Sequence, residues 1–253
     1  MGTFTVSVQP THATKNGAAT PAHEEACERV AARFDERWLR IYAGRKLRND
    51  PIFLAAFELF AASAQPLVDV GCGVGLLAFY LRERNFLGPI TGLDLDARKI
   101  ARAQAVATSG YRDLQFIEQD VCAPIAQSGN IVIFDCLHYL RPGDQTLLLE
   151  RLAARVMPGG TLIIRDCPRD GNVRFWLTRL AERFAQLTRW NLNVPLHFPS
   201  LAEISAVFDE ERFSRRVAPL WGRTPFNNHL FIFRRRAGQL QALRQDASVI
   251  GTR

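Results

Sequence analysis

Three glycines at alternate positions, Gly71, Gly73 and Gly75, follow directly on the apolar run Leu67-Val68-Asp69-Val70 and lead at once into Leu76-Leu77-Ala78-Phe79-Tyr80-Leu81. A short β-branched run that ends in glycines and changes to helical spacing predicts a strand, a tight turn and a helix. Glycine lets the main chain turn sharply and lets a ligand approach it closely, and the first turn of a helix has N–H groups to spare. This is a place for a nucleotide-like molecule. Carboxylates recur at the ends of the later strand-like segments: Asp94 after Pro89-Ile90-Thr91-Gly92-Leu93, Asp120 shortly after Leu114 to Glu118, Asp135 after Asn130 to Phe134, and Asp166 closing Thr161 to Arg165. An acid in such a position, beside the crevice of an open sheet, can accept both hydroxyls of a ribose.

Two registers of the glycine loop imply different ligands. Counted from Gly71, the dinucleotide pattern wants Gly or Ala at 76, where Leu76 stands. Counted from Gly73, the string Gly73-Val74-Gly75-Leu76-Leu77-Ala78 fits a nicotinamide-cofactor loop, with Asp94 at the acidic distance. That register makes the strand run on through Gly71 and Cys72, which are poor strand residues. As it stands, Val68-Asp69-Val70-Gly71-Cys72-Gly73-Val74-Gly75 resembles the first motif of the class I S-adenosylmethionine-dependent methyltransferases. The resemblance extends over roughly Leu67 to Asp166, through the Leu137-His138-Tyr139-Leu140 segment after a strand and Pro158-Gly159-Gly160 before the next.

That resemblance implies S-adenosylmethionine as cofactor and assigns positions to it. Asp69, Gly71, Cys72, Gly73 and Gly75 form the loop, Asp94 with neighbouring Leu95 takes the ribose, and Asp120 accepts from the adenine amino group. The Val121 N–H serves a ring nitrogen, and Asp135 completes the pocket. Methyl transfer from a sulfonium needs acceptor and methyl held in line and water kept out, with no metal and no covalent intermediate. A base helps when the acceptor must lose a proton. His138, just past a strand end, is the first candidate for that base, with a place in the cofactor pocket or the packing as its alternative. His197 and His229 follow. Tyr139, Asp166, Trp176 and His197 are candidates to line the acceptor site, and Trp190 and Phe198 to sandwich a flat acceptor.

These residues need elements to hold them. Strand-like and helix-like segments alternate from Leu67 to Asp166, which predicts an α/β fold with a doubly wound, mostly parallel, Rossmann-like sheet. The family pattern adds two last strands, near Arg215 to Leu220 and His229 to Arg234, for seven in all with the last antiparallel. Apolar residues at Ala26, Val30, Phe34, Trp38 and Ile41 repeat at helical spacing from His23 to Tyr42, and Asp50-Pro51 opens a further helix carrying Phe53, Phe57 and Phe60. Val173 to Leu187 reads as an amphipathic helix with Phe175, Trp176, Leu180, Phe184 and Leu187 on its apolar side, and Ser200 to Glu203 has capping-box spacing. Asp96 is expected to cap the helix from Ala97 to about Thr108. We therefore expect a disordered segment over 1–22, one domain over 23–236 with a helical cap at 23–63 and a lid insertion at 168–199, and a mobile tail over 237–253.

Composition narrows the function class. A chain of 253 residues, 47% hydrophobic and 23% charged, can build one large soluble domain. No apolar run approaches the ~20 residues of a membrane helix, and Met1 to Ala22 carries no secretory, transit or acylation pattern. Five cysteines without a Cys-x-x-Cys pair point to reduced thiols and a cytoplasmic protein. The formal charge of +7 is weighted towards the end, with Arg212, Arg215, Arg216, Arg223, Arg234, Arg235, Arg236, Arg244 and Arg253. A solvated basic face accounts for these; a docking surface for an acidic partner is the sharper reading. The region Ala43 to Pro51, with Leu76 to Arg84, also resembles methyltransferases of aryl-polyene and related polyketide-type pathways, which implies a small acceptor, free or carried on an acidic acyl carrier protein. A nucleic-acid methyltransferase would use the basic surface for phosphates. No RNA-binding module or Asn/Asp-Pro-Pro-aromatic signature accompanies that surface, so neither nucleic acid nor membrane is expected as a partner.

Overall fold

The computed structural model describes residues 20–187, 194–222 and 224–238. Thr20 to Gly238 therefore hold all that follows; most of the expected N-terminal segment, Trp190, Arg223, Arg244, Arg253 and nearly all of the tail lie outside the described residues.

Seven strands form one sheet in the order β3-β2-β1-β4-β5-β7-β6. They are β1 (Leu67–Val70), β2 (Ile90–Asp94), β3 (Leu114–Glu118), β4 (Asn130–Phe134), β5 (Thr161–Asp166), β6 (Phe213–Pro219) and β7 (His229–Arg235). The first five are parallel; β7 runs antiparallel to both β5 and β6. The antiparallel strand slotted between β5 and β6 departs from the dinucleotide-binding order 3-2-1-4-5-6. β1 stops at Val70, so the glycine loop begins at Gly71 and the strand does not run on through Cys72 as the nicotinamide register requires.

Both faces of the sheet are covered, which explains why β1, β4 and β5 are buried along nearly their whole length. Val132 and Ile163 point to one face and pack with helices α1 (Pro21–Ala32), α2 (Arg37–Asn49), α3 (Ile52–Phe60), α4 (Leu76–Glu83) and α5 (Ala97–Thr108). Their neighbours Ile131, Ile133, Leu162 and Ile164 point to the other, against α6 (Pro142–Arg155) and α8 (Leu201–Ala206). The path changes faces between β3 and β4, so β1 and β4 are adjacent strands whose connections leave in opposite directions. That is the switch point where a crevice opens at the strands' C-terminal ends.

Local chemistry sets the helix boundaries. The Asp96 carboxylate accepts from the Arg98 N–H at the start of α5, and Ser200 and Glu203 form the reciprocal capping box that opens α8. The expected helix from His23 to Tyr42 is two. The chain breaks after Ala32, where Arg40 donates from Nε and Nη2 to the Phe34 carbonyl at 3.1 and 3.0 Å. Beyond the break α2 turns Leu39, Ala43 and Leu47 inward, leaving Trp38 and Ile41 exposed. Helix α7 (Val173–Leu187) follows β5, and its apolar stripe does not face the core as its periodicity suggested. Phe175 is buried, whereas Trp176, Leu180 and Phe184 face solvent.

Candidate functional site

A cavity of about 450 Å³ lies at the C-terminal ends of the central strands, roofed by Tyr42 and Lys46 of α2 and by Ile52 and Phe53 of α3. Asp69, Gly71, Cys72, Gly73, Asp94, Leu95, Asp120, Val121, Asp135 and Tyr139 line it together. The glycine loop shapes its floor. Gly73 has φ +58°, and a Cβ built there meets no heavy atom within 4 Å, so the position opens straight onto the cavity. Gly75 (φ +79°) does a different job: a Cβ would lie 2.7 Å from the Phe116 ring, so this glycine lets α4 pack on β3 and does not line the cavity.

The carboxylates are held in distinct ways. Asp94 accepts from the Gly73 N–H at 2.8 Å and the Asp96 N–H at 2.9 Å, one with each oxygen, and so ties the two loops together with a lone pair of each oxygen left over. Asp120 accepts from the Cys122 N–H at 2.9 Å, which fixes its turn. Asp69 is buried, and burial, with the Asp94 charge adding to it, pushes its pKa up to about 7. Cys72 and Cys136, the thiols at the cavity, are pushed well above their ordinary range by burial and the nearby carboxylates, and are protonated rather than nucleophilic.

Residues that spacing could not bring together form an ion cluster at the cavity, buried at Arg165 and Asp50 and half-buried at Lys46 and Asp135. Arg165 at the end of β5 donates to Asp50 at 2.5 Å and, from Nε at 2.8 Å and also from Nη2, to Asp135. Lys46 lies 2.8 Å from Asp50 and 3.9 Å from Asp135. Two cations and two anions thus balance, and the cluster fastens the α2–α3 corner to the sheet. Burial works against the Asp50 carboxylate, yet Arg165 and Lys46 hold its pKa well below the usual carboxylate range. A second cavity of about 200 Å³ adjoins here, sharing Lys46, Asp135 and Glu182 with the first and bounded further by Asn49, Thr178, Thr224, Phe226 and Asn228.

Glu182 of α7 was not among the expected site residues. It lines both cavities and accepts from the Tyr139 hydroxyl at 2.5 Å. His138 sits behind this pair, buried and outside the cavity lining, in the 3₁₀ turn Leu137–Tyr139. Its Nδ1 is 2.8 Å from Asp166, its Nε2 is 3.8 Å from Glu182, and its ring stacks on Phe198. Burial would lower its pKa, but the Asp166 carboxylate outweighs it and raises the value to about 10. A histidine that keeps its proton at neutral pH cannot take one from an acceptor, so the geometry favours a structural cation over the expected base.

The other expected acceptor-site residues lie elsewhere. Asp166 is fully buried beneath His138, where it accepts from the Leu137 and Cys167 N–H groups. His197 lines a separate groove of about 290 Å³ with Gln145 and Phe198. Trp176 stands on the outer side of α7, 55% exposed. His229 is buried in β7, its Nδ1 3.1 Å from the Asn227 carbonyl.

Residues 67–160 match the family model described as a methyltransferase domain. A carboxy-S-adenosyl-L-methionine synthase of Aeromonas hydrophila is 29% identical over 147 residues, which cover 53% of this chain and 58% of the relative, so the chain spans little more than half that protein's length. Among solved structures, an O-methyltransferase family protein from Burkholderia thailandensis superposes with a TM-score of 0.59 at 19% identity, covering 82% of this chain and 63% of that one. The magnesium protoporphyrin IX methyltransferase of Synechocystis, solved with bound SAH, superposes with a TM-score of 0.54 at 18% identity, covering 85% and 84%. At these identities the two structures speak to the fold.

Proposed function

The chain belongs, through residues 67–160, to the class I S-adenosylmethionine-dependent methyltransferases, and on that premise we propose that it moves a methyl group to an oxygen or carbon of a small acceptor bound between the cap helices and α7. The observation that carries this reading is the pair of adjoining cavities. The larger has the acids and open glycine backbone that suit an adenosyl compound, and the smaller meets it at Lys46, Asp135 and Glu182.

The residues present fit the cofactor. Asp94 has acceptor capacity for a ribose, Asp120 and Val121 stand where an adenine edge would be read, and Gly73 leaves room for close main-chain approach. Asp69, buried and destabilised as an anion, suits the α-ammonium of the amino-acid end. When bound, the cofactor supplies a methyl carbon on a sulfonium. The protein's part is positional: the α2–α3 roof excludes water, the ion cluster fixes that roof, and Glu182 with Tyr139 faces the place where an acceptor proton must leave. The buried His138 ring lies 3.8 Å behind Glu182 and helps to hold it in place.

The synthase relative makes, by its name, a carboxylated S-adenosylmethionine. A carboxylate-handling site wants a buried cation with bonds to spare, and here Arg165 and Lys46 are already engaged by Asp50 and Asp135, so we place the reaction on a separate acceptor. The 200 Å³ chamber suits a small or flat molecule; a chain carried on an acyl carrier protein would enter by the same side.

Thermal melting with S-adenosylhomocysteine and with NAD tests the premise. Ligand at a hundred times its Kd adds about 2.7 kcal/mol, or roughly 5–10 °C for a domain of this size. We expect that rise with S-adenosylhomocysteine and none with NAD, and the reverse would overturn the reading. Isotope from methyl-labelled S-adenosylmethionine should then appear in a small-molecule fraction.

A further inference from the structure

Helix α7 turns its apolar stripe away from the protein. Val173, Trp176, Leu177, Leu180 and Phe184 fall within an arc of about 100° on the helix, and all are exposed, Leu180 and Phe184 by 67% each. Phe175, Thr178 and Glu182 occupy the opposite side and face the body of the protein. Arg179 and Arg183 flank the stripe on one side and Arg174 on the other. The Arg179 guanidinium lies 5.3 Å from the Trp176 ring and that of Arg174 4.6 Å from the Trp221 ring, which extends the patch.

We propose that this face of α7 docks on an anionic lipid surface, with the stripe at the headgroup level and the arginines on the lipid phosphates. The composition is that of a helix that lies in an interface: bulky Trp, Phe and Leu on one side, cations on both rims. Charge decides between candidate occupants. A second copy placed face to face would set the arginines of one α7 against those of the other, and the described part of the helix holds a single acid, Glu182, turned inward. An anionic sheet of headgroups complements both rims at once. No helix among the described residues is long and apolar enough to cross a membrane, so the contact is one of lying on the surface. It would set the cavity that Glu182 lines one helix diameter, ~10 Å, from lipid, whatever the acceptor proves to be.

The test is sedimentation of the full chain with sucrose-loaded vesicles of phosphatidylcholine alone or mixed with phosphatidylglycerol. We expect at least about tenfold tighter binding to the anionic vesicles at low salt, falling as salt rises. Leu180→Glu with Phe184→Glu should lower it about tenfold at unchanged melting temperature. Arg179→Gln with Arg183→Gln should flatten the salt dependence. No sedimentation with anionic vesicles, or sedimentation untouched by the two glutamates, would overturn the proposal. So would a dimer in light scattering that the glutamates dissolve, since a second copy would then own the face.

Discussion

In the proposed reaction Asp69 and Glu182 are the residues on which the chemistry turns, and each makes a separable prediction. An unfolded aspartate ionises near 3.9; the folded Asp69 holds its proton up to about pH 7. The folded state therefore binds the extra proton between those values, and the cost of ionising Asp69 grows as pH rises from about 4 to 7, to on the order of 4 kcal/mol at most. Asp69→Asn removes that cost. The variant should melt above wild type at pH 8 and level with it at pH 4, while calorimetry shows weaker S-adenosylhomocysteine binding; equal melting curves at both pH values would mean the carboxylate is not desolvated. Glu182→Gln keeps shape and removes the proposed base. Turnover should fall ~10²–10⁴-fold with S-adenosylhomocysteine affinity unchanged, and a proportional loss of affinity would make Glu182 a pocket wall instead. His138 contributes differently. With its folded pKa raised to about 10, its stabilisation is complete below pH 6.5 and is lost as pH climbs through 10, so His138→Ala should melt below wild type at pH 6 by a margin that closes towards pH 10, before it appears in turnover.

At the scale of elements, the glycine turn and the cap each carry load that can be removed singly. Valine at position 73 would have to hold φ +58°, which costs roughly 1–2 kcal/mol, and its side chain would project into the cavity rather than into neighbouring atoms. Gly73→Val should therefore stay folded, melt a few degrees lower and lose S-adenosylhomocysteine binding in calorimetry; retained binding would take the loop out of the site. Asp50 joins the α2–α3 corner to β5 across 115 residues of sequence. Asp50→Asn leaves Arg165 and Lys46 with Asp135 alone, and because Arg165 is buried while Lys46 reaches solvent it should cost less than the ~3–5 kcal/mol of a fully buried pair. Because its folded pKa is depressed, the contribution of Asp50 is present above about pH 4 and disappears as pH falls below that. Wild type should thus lose its stability advantage over Asp50→Asn in acid, and an advantage constant down to pH 2 would mean the ion pairs contribute nothing. These same elements mark where sequence reading stops. Strands β1 to β5 and the caps of α5 and α8 are legible because their signals are local: alternation, glycine, a capping side chain. The ion cluster is not, since nothing in Asp50 names Arg165 as its partner. Nor is the direction of α7, because a helical repeat tells that a stripe exists and not which side the protein covers.

The described sheet ends in an exposed edge, and Arg215, Arg216 and Arg234 stand there. Among the described residues β6 pairs only with β7, leaving its other side open, and Ser214, Arg215 and Arg216 are exposed along it, with Arg234 exposed on β7 opposite Ser214. An open edge strand is a template for pairing with another chain, and like charges along it are a common guard. That explains the basic excess of this region without a partner: Arg215 meets Glu210 at 3.2 Å, and Arg235 reaches back to the Val156 carbonyl at 2.5 Å, so part of the charge is spent on the fold itself. The two roles part experimentally. If the arginines guard the edge, Arg215→Thr with Arg216→Thr, both good strand formers, should leave the melting temperature within ~2 °C and S-adenosylhomocysteine affinity unchanged, while light scattering shows concentration-dependent association that wild type lacks. If they instead dock an acidic carrier protein, reversing Arg234, Arg235 and Arg236 to glutamate should abolish its capture in a pull-down. Because the larger cavity lies at the C-terminal ends of β1 to β5, whereas Arg234 pairs with Thr161 at the N-terminal end of β5, we expect the first outcome, and capture of a carrier that the reversal abolishes would refute it.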